Sequence, residues 1–198
     1  MRRVALTGGI ATGKSYVLRV LRDRGIPCLD ADELAHGVMI PGGEVTAAIA
    51  RRFGPDVLDA TGAVDRRILG PRVFADPQAR RELEALVHPA VYRAIAAGVR
   101  AIALSEPGTR MAVVAVPLLY EPGHAGDFDV VIATVCAPDL QRRRLRDRGV
   151  EPEDIERRLL AQMPADEKAA LADHVIRTDG SFADSDAQID AILRLLRP

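Results

Sequence analysis

Residues 8 to 15 combine the side chains and the spacing that bind the phosphates of a nucleotide. The stretch reads Gly8-Gly9-Ile10-Ala11-Thr12-Gly13-Lys14-Ser15, which fits the phosphate-loop pattern of a glycine, four residues and Gly-Lys-Ser. Glycines allow backbone N–H groups to approach phosphate oxygens closely. Lys14 supplies a cation for the β- and γ-phosphates, and the Ser15 hydroxyl can ligate Mg²⁺. The stretch therefore predicts a site for a nucleoside triphosphate with Mg²⁺.

The segments on either side of this loop support the prediction. Residues 4 to 7 are mostly apolar and include β-branched side chains, which predicts a buried strand. Residues 16 to 22 place apolar side chains at helical spacing, and Gly25 is a helix stop. Lys14 is also one of only two lysines, against twenty-five arginines. A glycine-rich turn that binds nothing is the alternative, but the order of strand, loop and helix favours the nucleotide site.

Two carboxylates come after the predicted second strand, residues 26 to 29. The carboxyl ends of parallel strands are where open sheets place their ligands, so Asp30 and Asp32 are candidates there. If the strand alternates, both side chains point the same way. Either could activate an acceptor hydroxyl or help to hold Mg²⁺ through water. The alternative is that one of them caps a helix that starts at Glu33.

The segment from 139 to 148 is rich in arginine and has a helical pattern. Arg144 and Arg148 are four residues apart, so a helix would place them on one face. Such a pair can clamp a transferring phosphoryl group or stack on adenine, whereas a solvated charged face is the alternative. His88-Pro89 predicts a helix break or bend, and Glu121 comes after a strand end, where it either has a function or pairs at the surface.

The elements that must position these residues predict an α/β fold. Residues 111–116 and 129–135 are continuous apolar strands, and helices separate them, which indicates a parallel sheet covered on both faces. With the phosphate loop, this is the three-layer αβα sandwich of phosphate-loop NTPases. Residues 33 to about 104 are mostly helical, interrupted or kinked at Gly70-Pro71. This stretch is too long for a plain crossover, so we expect an inserted helical subdomain for a second substrate.

Composition excludes several classes of function. The net charge of −1 provides no basic field for nucleic acid, and the longest apolar runs are too short to span a bilayer. The predicted first strand begins directly after Arg3, which leaves no room for a signal peptide. Cys28 and Cys136 are far apart, so neither a disulfide framework nor a zinc motif is indicated. A cytoplasmic protein, monomeric or weakly homo-oligomeric, without nucleic-acid or membrane partners, is the simplest interpretation.

Taken together, these segments resemble the dephospho-CoA kinase family over nearly the whole chain. The phosphate loop alone is common, whereas the Pro-Leu-Leu-Tyr-Glu segment and the ordered series are much more specific. The resemblance is carried by Leu6 to Ser15, Asp30-Ala31-Asp32, Gly62 to Arg66 with Leu69 and Phe74, His88-Pro89, Val116 to Glu121, Gln141, Arg144, Arg148, and Arg158 with Gln162.

The resemblance implies transfer of the ATP γ-phosphoryl group to the ribose 3′-hydroxyl of dephospho-CoA, the last step of coenzyme A biosynthesis. It implies ATP contacts from Gly9, Ile10, Ala11, Thr12, Gly13, Lys14 and Ser15, with Mg²⁺ held by Ser15. Asp32 would be the base or an acceptor-side carboxylate, and the other acceptor contacts would be Arg66, His88, Leu118 and Glu121. Lys14, Asp32, Arg144 and Arg148 would be the catalytic residues.

The same resemblance divides the chain, as a single kinase unit, into three parts. The core would comprise about 1–32, 109–138 and 172–198, the CoA-binding insertion about 33–108, and a helical lid about 139–171. Three positions depart from the family pattern: His36 replaces an arginine, Gly149 an acidic residue, and Thr178 stands near a usual asparagine. Two alternatives stay open, namely a kinase for a nucleoside monophosphate or another small metabolite, and a nucleotide-dependent switch.

Overall fold

The computed structural model describes residues 1–196 of the 198-residue chain. The chain forms two compact units. The first consists of Met1–Leu29 together with the chain from Ile102 onward, and the second consists of Asp30–Ala101. The second unit is therefore inserted in sequence between two parts of the first.

A five-stranded sheet forms the centre of the first unit. The strands are β1 (Arg2–Gly8), β2 (Cys28–Asp30), β3 (Met111–Ala115), β4 (Val130–Val135) and β5 (His174–Arg177), in the spatial order β2-β3-β1-β4-β5. The pairings of β1 with β3, β1 with β4, and β4 with β5 are all parallel. Leu6 of the central strand pairs with Ala115 on one side and Ile132 on the other. The predicted parallel α/β sheet is confirmed.

Nine α-helices connect or cover the strands within the described residues. They are α1 (Lys14–Asp23), α2 (Ala31–Val38), α3 (Glu44–Phe53), α4 (Arg66–Ala75), α5 (Pro77–Ser105), α6 (Pro138–Arg146), α7 (Pro152–Leu160), α8 (Ala165–Ala170) and α9 (Phe182–Leu196). Short 3-10 helices cover Pro55–Val57 and His124–Asp127. None of the helices in residues 1–196 combines the length and the apolarity that a membrane span requires.

The core of the first unit lies between the sheet and the helices α1 and α9. Strand residues such as Leu6 and Ile132 pack in one cluster with Val17 and Leu21 of α1 and Ile189 of α9. Because burial of apolar surface is the main favourable contribution to folding, this cluster is what fixes the start of α1 against the end of β1. The loop between those two elements is the predicted phosphate loop.

Two helices of the second unit continue through a proline. Asp76 caps α5 as expected, since its Oδ1 accepts from Gln78 N at 2.8 Å. However, α5 runs unbroken through Pro89, and α4 runs through Pro71. Of the outcomes predicted at the two prolines, the break at His88-Pro89 and the interruption at Gly70-Pro71 are therefore wrong, whereas the bend and the kink stay predictions. In α5, buried apolar side chains on both sides of Pro89 continue one packed face, and this burial offsets the lost hydrogen bond.

Candidate nucleotide and phosphoryl-transfer site

The predicted phosphate loop occupies the turn between β1 and α1. Gly8 has φ +151° and pairs with Thr134, and a Cβ at Gly8 would lie 2.2 Å from Thr134 Oγ1. Gly13 has φ +92° and stands immediately before α1, whose first turn has no side-chain cap. The first backbone N–H groups of a helix have no partner within the helix, and the helix dipole favours negative charge there. The turn is therefore an anion-binding structure.

Side chains outside the loop hold its carbonyl groups. Three successive carbonyls accept hydrogen bonds from side chains: Ile10 O from Gln141 Nε2 at 2.7 Å, Ala11 O from Arg144 Nη1 at 3.0 Å, and Thr12 O from Thr178 Oγ1 at 2.8 Å. A carbonyl oxygen that faces a phosphate would repel it. Because these three carbonyls are engaged by outside donors, they are held in place and the loop keeps its conformation. Within the loop, Thr12 N donates to Gly9 O at 3.3 Å.

Arg144 belongs to this bracing network. Besides Ala11, its guanidinium donates to Thr178 O at 2.7 Å and to Thr178 Oγ1 at 3.1 Å. Gly13 also packs against Thr178, since a Cβ at Gly13 would lie 3.1 Å from Thr178 Cγ2. The threonine that departs from the family pattern thus lies against the phosphate loop and joins it to α6 through Arg144.

Arg148 does not share a helix face with Arg144. Helix α6 ends at Arg146, and Gly149 turns the chain with φ +74°. The prediction of one arginine face over 139–148 is wrong, because the chain turns at Gly149 and the helix ends before it reaches Arg148. The Arg148 side chain is exposed and makes no hydrogen bond or ion pair within residues 1–196.

Lys14 and Ser15 occupy the first two positions of α1, where the pattern predicted them. Lys14 is half-buried, and its ammonium group has no hydrogen bond or ion pair in the described part of the chain. The Ser15 side chain is exposed. A lysine cation and a hydroxyl at the start of a helix form the set that phosphate and its bound Mg²⁺ require.

The second unit contains Asp30 and Asp32 in different roles. The strand ends at Asp30, whose Oδ1 accepts from Asp32 N at 2.9 Å and so caps α2. The condition for a shared direction, a strand that continues to Asp32, is not met, because α2 begins at Ala31 rather than at Glu33. The alternative, that one of the two caps the helix, holds for Asp30. Asp32 is exposed in the first helical turn, and its carboxylate has no hydrogen bond or ion pair within the described residues.

Two further acceptor candidates also lie in the second unit. Arg66 is exposed at the first position of α4, directly after Asp65, which caps that helix through a 2.9 Å bond from Arg67 N. His88 is half-buried inside α5. Their roles toward an acceptor stay predictions.

The segment after β3 contains the last two candidates. Leu118 is half-buried, and Leu119 beside it is fully buried. Glu121 Oε1 accepts from Met163 N at 3.1 Å and pairs with Lys168 Nζ at 2.8 Å. The predicted alternative for Glu121, an ion pair, is therefore present, although its partner is a buried lysine and not a surface group.

Comparison with known proteins identifies the family. The model for dephospho-CoA kinase matches residues 2–184. The chain belongs to the dephospho-CoA kinase family. Two named dephospho-CoA kinases show the extent of the similarity. The protein from Anaeromyxobacter dehalogenans is 46% identical over 198 residues, which cover 100% of this chain and 93% of that protein. The protein from Geobacillus kaustophilus is 40% identical over 192 residues, which cover 96% of this chain and 94% of that protein.

Solved structures agree with the membership in the dephospho-CoA kinase family. TT1252 from Thermus thermophilus is 32% identical with a TM-score of 0.80, and the match covers 100% of this chain and 98% of that one. Dephospho-CoA kinase from Campylobacter jejuni is 26% identical with a TM-score of 0.70, and the match covers 97% of this chain and 95% of that one. Shikimate kinase from Bacteroides thetaiotaomicron, 15% identical with a TM-score of 0.52, shares the fold.

The sequence analysis missed Lys168, which the structure places beside the candidate residue Glu121. Lys168 of α8 is fully buried and contacts both Glu121 and Pro117. A signal was available, because Lys168 is the second of only two lysines in a chain that otherwise uses arginine. In the sequence, Thr178 stands out only as a departure from the family pattern. Its contact with the loop depends on where β5 ends, because Thr178 follows that strand directly.

Proposed function

We propose that this protein is a dephospho-CoA kinase that transfers the γ-phosphoryl group of ATP to the ribose 3′-hydroxyl of dephospho-CoA, giving coenzyme A and ADP. The observation that carries the proposal is the match of the family over residues 2–184, together with an intact phosphate loop at the end of the central strand. A kinase needs little covalent chemistry from its side chains, so positioning and charge stabilisation are the main tasks of the protein.

ATP binding falls to residues 9–15. The backbone N–H groups of the loop and the start of α1 bind the phosphates, and the ammonium group of Lys14 neutralises charge on the β- and γ-phosphates. Gln141, Arg144 and Thr178 keep the loop in its binding conformation through their hydrogen bonds to its carbonyls. Arg148, with its exposed guanidinium, is proposed to contact the transferring phosphoryl group.

The residues present fit Mg²⁺ as a partner of ATP. No group of three or more His, Cys, Asp or Glu side chains in residues 1–196 is arranged to hold a metal ion. Mg²⁺ in kinases is usually bound by one or two protein ligands together with substrate phosphates. The exposed Ser15 hydroxyl is the protein ligand that such a site requires, and the bound ion would neutralise phosphate charge during transfer.

Five residues are proposed to recognise the acceptor. Asp32, with a carboxylate that has no partner in the described residues, is proposed to orient or deprotonate the acceptor hydroxyl. Arg66, His88, Leu118 and Glu121 are proposed as the other acceptor contacts.

The division into core, CoA-binding insertion and lid is also a proposal. The helices of the second unit, Asp30–Ala101, are proposed to form the CoA-binding insertion. Because α8 packs against β1 and β4, we propose that it belongs to the core and that the lid is limited to residues around α7. A lid excludes water from the site, which prevents hydrolysis of ATP. A cytoplasmic monomer or weak homo-oligomer completes the proposal.

Measurement of ADP release from Mg-ATP tests this function. The assay is run alone, with dephospho-CoA, and with AMP and shikimate as control acceptors. The proposal expects strong stimulation by dephospho-CoA only. Equal stimulation by AMP or shikimate would point to another small-molecule kinase, and no stimulation by any acceptor would exclude the proposed activity while leaving the nucleotide site to be tested by binding.

A further inference from the structure

Lys168 is a charged residue in an unusual environment. It is fully buried, and within residues 1–196 it is the only one of the ionisable residues Asp, Glu, Lys and Arg in the buried set. Removing an ammonium group from water is strongly unfavourable, and only good partners offset that cost. A buried lysine therefore requires an explanation from its contacts.

The contacts of Lys168 join two distant parts of the chain. Its Nζ donates to Pro117 O at 2.6 Å and pairs with Glu121 Oε1 at 2.8 Å. The same Glu121 oxygen accepts from Met163 N at 3.1 Å. The segment Pro117–Glu121, which lies just after β3, is thus held at both of its ends by one ammonium group.

The other end of the same short helix lies against the phosphate loop. Ala165 precedes Lys168 by three residues, and residues with this spacing share a helix face. A Cβ at Gly9 would lie 3.1 Å from the Ala165 Cβ, so the Ala165 side chain packs closely against the loop at Gly9. Helix α8 also packs against β1 and β4. One face of α8 therefore contacts both the phosphate loop and the segment Pro117–Glu121.

We propose that Lys168 is a positioning residue that fixes the segment Pro117–Glu121 relative to the phosphate loop. This inference rests on the proposed function, in which Leu118 and Glu121 contact dephospho-CoA and the loop holds ATP. Through Lys168 and Ala165, α8 sets the distance between the acceptor contacts and the bound triphosphate.

The chemistry of the contact favours positioning over stability alone. A buried ion pair can often be replaced by apolar side chains of similar volume without loss of stability. An apolar side chain cannot, however, bind the Pro117 carbonyl and the Glu121 carboxylate at once. The hydrogen bond from Lys168 to Pro117 O is directional, and the ion pair with Glu121 is short, so together they determine the position of the segment.

The primary test is Lys168→Met, which keeps the length of the side chain and removes its charge. A displacement of about 1 Å in a substrate-positioning group can cost on the order of a hundredfold in rate. We therefore expect kcat/KM for dephospho-CoA to fall by roughly tenfold to a hundredfold. The affinity for a non-hydrolysable ATP analogue should stay within about twofold of wild type, because the contacts of the loop with Gln141, Arg144 and Thr178 remain.

Leu193→Ala is the matched control for lost stability. Leu193 lies in the core cluster of α9, contacts neither Lys168 nor its partners by hydrogen bond, and its truncation should lower the melting temperature. All kinetics are measured well below the melting temperature of each variant. Leu193→Ala should keep the wild-type kcat/KM for dephospho-CoA. If Lys168→Met is no more impaired than Leu193→Ala, or if its affinity for the ATP analogue falls as much as its kcat/KM, the proposal is overturned.

Lys168→Arg provides the second variant, in case Lys168→Met does not fold. Arginine keeps the charge on a longer, planar head group, which cannot reproduce the contact geometry of an ammonium group. The proposal expects a lower kcat/KM for dephospho-CoA with unchanged affinity for the ATP analogue, and wild-type kinetics would overturn it. Failure of wild type to phosphorylate dephospho-CoA would instead count against the proposed function, so the two failures are distinguishable.

Discussion

The two kinds of cation near the phosphate loop have different surroundings. Arg144 donates to Ala11 O and to two atoms of Thr178, whereas the Lys14 ammonium has no hydrogen bond or ion pair in residues 1–196. A cation that is already fully engaged stabilises the loop, while a cation without a protein partner is available to phosphate. Arg144 therefore braces the loop, whereas Lys14 is the cation that we propose for phosphate binding.

Lys14→Ala should abolish most of the turnover and leave the fold intact. The lost ammonium group is the cation that neutralises the transferring phosphates, and electrostatic stabilisation is the largest contribution to phosphoryl transfer. We expect kcat to fall by at least about a hundredfold, with an unchanged far-UV circular dichroism spectrum. Arg19→Ala, which removes an exposed cation from the same helix, is the control and should keep near-normal turnover. Comparable turnover for both variants would contradict the assignment of Lys14.

Asp32→Asn should lower turnover much more than ATP binding. The carboxylate of Asp32 has no partner in the described residues, so its loss removes no structural contact, and its proposed task concerns the acceptor hydroxyl. General-base catalysis contributes about a hundredfold to ten-thousandfold, and the lower part of that range is expected because phosphoryl transfer requires little of a base. The test compares kcat with the dissociation constant of an ATP analogue. Glu33→Gln, at the next exposed position, is the control. Near-normal turnover of Asp32→Asn would disprove the role.

At the scale of elements, the phosphate loop depends on the chain segment just after β5. Thr178, immediately after that strand, donates to Thr12 O and accepts from Arg144, and it packs against Gly13. The loop is therefore held from two directions, by α6 and by the end of β5. The consequence is that a residue far from the loop in sequence controls its geometry.

Thr178→Val should weaken ATP binding because it removes the hydroxyl and keeps the shape. Leaving a buried carbonyl such as Thr12 O without its donor costs about 1–3 kcal/mol. That cost corresponds to a fivefold to hundredfold increase in the dissociation constant of ATP, by order of magnitude. Thr178→Ser keeps the hydroxyl and should bind ATP nearly as well as wild type. Equal ATP affinity for wild type and Thr178→Val would contradict the bracing role.

Several elements could be predicted from the sequence because a local pattern determines them. The loop at 8–15, the strands and the capping of α5 by Asp76 are set by residue types at fixed spacing. The continuation of α5 through Pro89 could not be predicted, because it depends on the packing of one apolar face on both sides of the proline. Likewise, the separate roles of Asp30 and Asp32 depend on where β2 ends, a boundary that short strands leave poorly defined.

Local sequence patterns do not predict contacts between distant parts of the chain. Lys168 is 47 residues from Glu121, and Thr178 is 166 residues from Thr12, so neither pair has a spacing that indicates contact. Only the sheet order brings these segments together. The rarity of lysine is a signal in the sequence for position 168, but only the burial and the partners of Lys168 show what it does.

At the scale of the whole molecule, the fold protects both cysteines. Burial raises the pKa of the Cys28 thiol to about 11, and burial is also the main cause that raises the pKa of Cys136, although the guanidinium of Arg144 opposes it. Both thiols are free, and Cys136 is buried. The reactive form of cysteine is the thiolate, so a raised pKa slows reaction with thiol reagents.

The folded protein should therefore react slowly with Ellman's reagent at pH 8. With a pKa of about 11, Cys28 is only about 0.1% thiolate at that pH. In guanidinium chloride both cysteines should react rapidly, because their pKa values return to the ordinary range of about 8.5. Raising the pH from 8 to 9 should increase the native rate of Cys28 about tenfold. Rapid reaction of two thiols in the native state would contradict the protection of these thiols by the fold.

The activity proposed for the whole molecule is transfer of the γ-phosphoryl group of ATP to the ribose 3′-hydroxyl of dephospho-CoA. The most direct measurement is transfer of label from γ-labelled ATP to dephospho-CoA and to its 3′-deoxy analogue, with product identification by mass spectrometry. We predict coenzyme A formed in equal amount to ADP, and no labelled product from the 3′-deoxy analogue. Label transferred to the 3′-deoxy analogue, or ADP formed without coenzyme A, would contradict the claim.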